Sequence, residues 1–124
     1  MSFALWMILV AIILPIVATG IAKAGDKNFD NNEPRKWQAQ LTGYRARAFW
    51  AHNNQFEATP GFAAAVLVAT VAHAPLMATN VIAGLWVLFR IGYIACYITD
   101  RATLRSLMFM GAFFCVVALF VISA

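Results

Sequence analysis

Apolar blocks separated by short polar clusters set the pattern of this chain. Met1–Ala22, Pro60–Ala72, Pro75–Phe89 and Leu107–Ala124 contain no Asp, Glu, Lys or Arg. Extended through their polar ends, these blocks give segments of about twenty residues, the length at which a helix crosses hydrocarbon. The pattern predicts an all-α integral membrane protein with spans at roughly 3–22, 46–72, 75–97 and 104–123. Almost nothing remains for a soluble unit, so residues 1–124 read as a single transmembrane domain without linker or repeat. Pro15 predicts a kink in the first span and Pro60 one in the second. Turn chemistry stands at Ala24-Gly25-Asp26-Lys27 and at Asn31-Asn32-Glu33-Pro34. Trp37 and Tyr44 are expected to anchor the chain at the membrane interface, and Thr103 to cap the fourth span.

Composition supports this reading. The chain is 63% hydrophobic and 11% charged, whereas soluble domains carry about 25% charged residues. The first block lacks a basic start, so it reads as a retained helix and not as a cleaved signal. The net charge of +4 matters through its placement. Lys23, Lys27, Arg35, Lys36, Arg45 and Arg47 lie between the first two spans, and Arg101 and Arg105 lie between the last two. The positive-inside rule then makes both connections cytoplasmic and puts both termini on the far side. The compact loops suggest a prokaryote, so an inner membrane of bacterial type with periplasmic termini is expected. Topology explains the basic bias without nucleic acid, because the same loop also holds Asp26, Asp30 and Glu33. Cys96 and Cys115 each sit inside a span with no metal-ligand spacing, so no metal site is expected.

Chemistry concentrates in the second span, over residues 47–62, where Arg47, Asn54 and Glu57 fall on nearly one helical face. Polar groups at membrane depth need partners or a polar cavity. The third span carries Arg90, Tyr93 and Tyr97 at helical spacing, and the fourth opens with Arg105-Ser106. A direct Arg90–Glu57 pair, or a network shared by the two, is expected to join spans two and three. Arg105 stands at a helix N-terminus, where the dipole disfavours a cation, so an anionic partner is expected. These groups lie at one depth and are rich in cations, which suits a small anionic polar ligand meeting a lipophilic partner from the bilayer.

Those residues resemble the MAPEG family, the membrane-associated proteins of eicosanoid and glutathione metabolism. The resemblance rests on Arg47, Phe49, Ala51, Asn54, Glu57 and Pro60, then on Arg90-Ile91-Gly92-Tyr93-Ile94-Ala95-Cys96-Tyr97 and Leu104-Arg105-Ser106. It implies a four-helix bundle, a homotrimer and glutathione bound between subunits. By position, Asn54 and Glu57 would contact the tripeptide, Tyr93 and Tyr97 would hydrogen-bond it, Arg90 would brace the site, and Arg47 would join the cofactor-binding set. Arg105, with Ser106, would face the sulfur, and Lys23 would reach a neighbour's site. The implied activity is a glutathione transferase or peroxidase acting on small lipophilic electrophiles. Trp50 and Phe109 depart from the pattern, standing where several relatives carry an arginine and a tyrosine. Two other readings compete: a non-catalytic lipid- or partner-binding protein of the same fold, and a small proton-coupled exporter. Export needs a carboxylate that cycles protons, and the cations around Glu57 would keep it ionised.

Overall fold

A computed structural model describes residues 1–124 as five α-helices without strands: α1 (Phe3–Lys23), α2 (Pro34–Ala39), α3 (Gly43–Val71), α4 (Leu76–Ile98) and α5 (Ala102–Val121). Helices α1, α4 and α5 are each long and apolar enough to cross a membrane, and the chain is an integral membrane protein. The polar first half of α3 sets it apart, but its contacts carry it the full height of the bundle. Near its start, Arg45 donates to the carbonyl of Ala22 at the end of α1 (2.8 Å). At its far end only residues 72–75 separate it from α4, whose Asn80 accepts from the amide of Ala4 at the start of α1 (2.9 Å). At the helical rise, 29 residues extend roughly 43 Å, more than the hydrocarbon thickness.

The burial pattern is that of a protein solvated by lipid. Only 26 of 124 residues are buried, and small side chains supply many of them. Ala4, Ala11, Ala18 and Ala22 form one fully buried stripe on α1, and Ala48, Ala51, Ala65 and Ala69 answer it on α3. Between membrane helices there is little hydrophobic drive, so close backbone approach and dispersion hold the seam, and alanine permits both. Ile12, Ile16, Leu88 and Phe114 lie on the outside, where hydrocarbon solvates them. In the core, Phe62 of α3 and Trp86 of α4 stack with ring centroids 3.8 Å apart.

Helix ends follow local chemistry. Ser2 caps α1 by accepting from the Leu5 amide (3.4 Å). Both α3 and α4 end in a left-handed residue, His73 (φ 55) and Asp100 (φ 60). In each case the next amide reaches back five residues, from Ala74 to Ala69 (2.9 Å) and from Arg101 to Cys96 (2.8 Å), which satisfies carbonyls the helix leaves open. Helix α5 starts two residues earlier than the expected cap requires: Arg101 is its N-cap, without a side-chain bond, and Thr103 lies inside the helix. The α1–α3 connection also holds more structure than its turn signals suggest. Pro34 starts the short α2, and Trp37 is not an interface anchor. It is 4% exposed, packs with Ala22 and Ala48, and donates through Nε1 to Asp26 (2.8 Å).

Candidate functional site

The site lies where α3, α4 and α5 meet, toward the end of the bundle at which α1 and α4 finish and α3 and α5 begin. Every lysine and arginine except Arg90 sits at that end. Arg90 lies deeper, on α4, and is 1% exposed. A guanidinium at that depth requires neutralising contacts, and α3 supplies them from consecutive amides. Nε of Arg90 donates to Oε1 of Gln55 (2.7 Å), and Nη2 donates to Oδ1 of Asn54 (2.8 Å). The cation also lies 4.2 Å from the centroid of the Tyr93 ring.

From Arg90 the contacts continue in both directions. Nδ2 of Asn54 donates to Oε2 of Glu57 (3.3 Å). Asn54 therefore bridges the two charges: the expected network is present, but the direct Arg90–Glu57 ion pair is not formed, and the chain's one ion pair is Lys36–Glu33. On the other side Tyr93 meets Tyr97 edge-on at 5.7 Å, and the Arg105 guanidinium lies 4.4 Å from the Tyr97 centroid. Glu57, Asn54, Arg90, Tyr93, Tyr97 and Arg105 thus form one unbroken run of contacts. Ser106 adjoins it; its hydroxyl donates to the Ala102 carbonyl (3.2 Å), leaving its lone pairs free to accept. The anionic partner expected for Arg105 is not in the chain itself, so this half-buried cation meets only a ring face.

Two adjoining cavities open along the run. One, of about 380 Å³, is lined by Asn54, Tyr93, Arg105, Ser106, Phe109 and Met110. The other, of about 390 Å³, shares Asn54 and Phe109 with the first and has Glu57 and Arg90 at its polar end. Ala58, Gly61, Trp86 and Ala112 make the rest of it apolar. A side chain from each of three helices faces the polar cavity, with donors prevailing, while the apolar cavity lies between lipid-facing helices. Phe109 stands between the two. Trp50 lines neither cavity; it is half-exposed, with its ring 6.3 Å from that of Tyr97.

Two sequence-predicted residues lie elsewhere. Nε of Arg47 donates to the Ile98 carbonyl (3.1 Å) and lines neither cavity; it puts a cation on the C-terminus of α4, where the dipole favours one. Lys23 lies 4.5 Å from the Phe29 centroid, at the end of α1. Conversely, Gln55 escapes sequence reasoning. It is fully buried, and the available signal was an amide one residue beyond Asn54 in a helix otherwise packed with alanine.

The comparisons agree with this architecture. The sequence model of the MAPEG family matches residues 3–124. No curated protein and no solved structure matches the chain.

Proposed function

The chain belongs to the MAPEG family, and on that footing we propose that it is a membrane glutathione transferase or glutathione-dependent peroxidase acting on small lipophilic electrophiles. The observation that carries the reading is the run from Glu57 to Arg105 along two cavities, one polar and one apolar. The donor set suits the tripeptide. Glu57 and the Asn54 amide accept from an ammonium group, and Arg90 and the tyrosine hydroxyls donate to carboxylates. Arg105 is a guanidinium whose place for an anion is open. Glutathione supplies a thiol that loses its proton and adds to an electrophilic carbon, or that reduces a hydroperoxide to an alcohol and water while two glutathione molecules are oxidised to the disulfide.

The protein's part is electrostatic. A free thiol has a pKa of about 8.5 and is mostly protonated at neutral pH. A guanidinium beside it favours the thiolate, and the Ser106 hydroxyl, turned away from the Ala102 carbonyl, would donate to it. The apolar cavity admits the second reactant from the bilayer beside the polar one, so the two meet without either crossing the other's solvent. In this proposal the protein is a homotrimer in an inner membrane, both termini are periplasmic, and residues 1–124 form a single domain. Lys23 approaches a neighbour's site, and Arg47 acts only by fixing the end of α4.

The half-exposed Trp50 over Tyr97 and Phe109 between the cavities favour a second reading, a lipid-binding member that has kept the fold without turnover. Titration with glutathione, following thiolate absorbance in the ultraviolet, separates the two. A saturable signal at neutral pH that disappears in Arg105→Ala supports the enzyme. A folded protein that gives no signal rejects it and favours the binding protein.

A further inference from the structure

The proline in α1 and the glutamine in α3 are linked by a vacancy in the backbone. Pro15 has no N–H, so it cannot donate to the carbonyl four residues earlier, that of Ala11. In hydrocarbon an open carbonyl is costly. Side chains of α3 cover it: Nε2 of Gln55 donates at 3.4 Å, and Oγ1 of Thr59 stands 3.3 Å away, its one hydrogen shared with the nearer Gln55 carbonyl at 2.7 Å. The second hydrogen on Nε2 of Gln55 is directed to Oγ1 of Thr59 (3.2 Å). Both amide hydrogens are thereby committed toward α1 and Thr59, and Oε1 is left as the acceptor for Nε of Arg90 (2.7 Å).

The reverse orientation of the amide fails on both sides. It would place Oε1 against the Ala11 carbonyl, two acceptors without a proton, and the NH₂ against Nε–H of Arg90, two donors without an acceptor. The seam is fixed further by His52, whose Nδ1 donates to the Pro15 carbonyl at 2.6 Å. We propose that Pro15 and Gln55 are positioning residues: the carbonyl released by Pro15 orients the Gln55 amide, and the amide oxygen holds the Arg90 guanidinium at the wall of the site. Nη2 of Arg90 then meets Asn54, and the guanidinium faces the cavity with donors still to offer. The inference rests on the proposed function only for what the cavity binds.

The test reads Arg90 directly. In the ¹⁵N-labelled, detergent-solubilised full chain, the Nε–H signals of six arginines are recorded, with Arg90 assigned through Arg90→Lys. Its Nε–H should exchange slowest. Gln55→Leu should speed that exchange about tenfold or more, the factor that loss of a hydrogen bond to a charged group corresponds to. Gln55→Glu keeps an acceptor and should retain slow exchange. Pro15→Ala returns a backbone donor to Ala11, frees the amide to turn, and should speed exchange about two- to fivefold, a fraction of one hydrogen bond. Unchanged exchange in Gln55→Leu overturns the proposal, as does equal acceleration in Gln55→Leu and Gln55→Glu, which would mark general loosening. If Gln55→Leu does not fold, Pro15→Ala decides, and no change there overturns the part assigned to the proline. A second readout is a higher KM for glutathione in Gln55→Leu with kcat held. Absence of glutathione turnover in the unaltered protein would count against the proposed function and leave the exchange result standing.

Discussion

Helix α3 has two seams, and they handle polarity in opposite ways. Toward α1, its side chains complete the partner's backbone: Arg45 takes the Ala22 carbonyl, His52 that of Pro15, and Gln55 and Thr59 that of Ala11. Alanines fill the space between, so the seam is closed. Toward α4 and α5, Asn54 and Arg90 are bonded to each other, Glu57 is exposed, and Arg105 has only an aromatic face. Cavities lie on that side. A membrane helix that spends its polar groups on carbonyls is building structure; one that leaves lone pairs and N–H groups facing a cavity retains capacity for a ligand. The residues doing each are neighbours in sequence, as Asn54 and Gln55 show.

The sharpest way to break this contrast is Arg105→Ala. In the proposed enzyme it removes the cation that favours the thiolate, and glutathione turnover at neutral pH should fall about 10²–10³-fold, as for loss of one transition-state donor. The melting temperature should not move, because the only specific partner of Arg105 is the Tyr97 ring. Rates and thermal unfolding measured on the same preparation check both statements. A large loss of stability would place Arg105 in the structural seam instead.

Gln55→Leu should act chiefly on stability, with kcat held and only the KM for glutathione raised. It leaves the Ala11 carbonyl with Thr59 alone and takes an acceptor from a buried guanidinium, at a cost of about 2–3 kcal/mol in stability. Asn54→Ala, on the open side, takes one acceptor from Arg90 without baring a backbone carbonyl, so it should cost less, about 1.5 kcal/mol, and raise the KM for glutathione. Chemical unfolding in detergent orders the two variants. Equal destabilisation would erase the distinction between the seams.

Volume sharpens the comparison further. A Cβ on Gly111 would stand 2.6 Å from the Phe89 ring, whereas one on Gly61 meets nothing within 4 Å. Gly111→Ala should therefore cost about 1–2 kcal/mol through forced movement of the ring. Gly61→Leu should leave stability within about 1 kcal/mol while filling the apolar cavity. Turnover of a bulky electrophile should then drop more than that of a small one, a ratio read from paired substrates.

How far the sequence carries this contrast depends on the kind of geometry involved. Helical spacing alone groups Asn54 with Glu57 and Arg90 with Tyr93 and Tyr97, and the loop charges put Arg105 at the same end. That much of the candidate site is legible because a helix fixes its faces locally. Whether Arg90 meets Glu57 or an amide between them is not local. Gln55 follows Asn54 by about 100° of helical turn, so it faces another neighbour, and only the packed α1 shows which carbonyl needs it. Pro15 announces an open carbonyl at Ala11 but not who fills it. Arg47 lies on the expected face, yet the end of α4 claims it. Short α2 and buried Trp37 escape for a related reason: a six-residue helix has little periodicity, and a tryptophan beside polar residues looks like an anchor until a carboxylate partner is seen.

That carboxylate gives the smallest expected effect, and it lies on the closed side of the contrast. Asp26 accepts from the Asn28 amide (3.0 Å) and from Nε1 of Trp37 (2.8 Å). Both bonds favour its ionised form, the backbone bond most, and hold its carboxyl below the usual carboxylate range. Because the folded pKa is depressed, the stabilisation is fully present above the ordinary aspartate value and is lost as pH falls through the lowered one. Acidification should therefore loosen the α1–α3 connection only below the usual carboxylate range, and the change should appear as altered Trp37 fluorescence while the bundle stays helical. Asp26→Asn should remove the pH step, and Trp37→Phe should identify the signal among four tryptophans. A step that survives in Asp26→Asn would overturn its assignment to Asp26. A step accompanied by loss of Arg105-dependent thiolate would show that the closed seam and the open groove are coupled through α3.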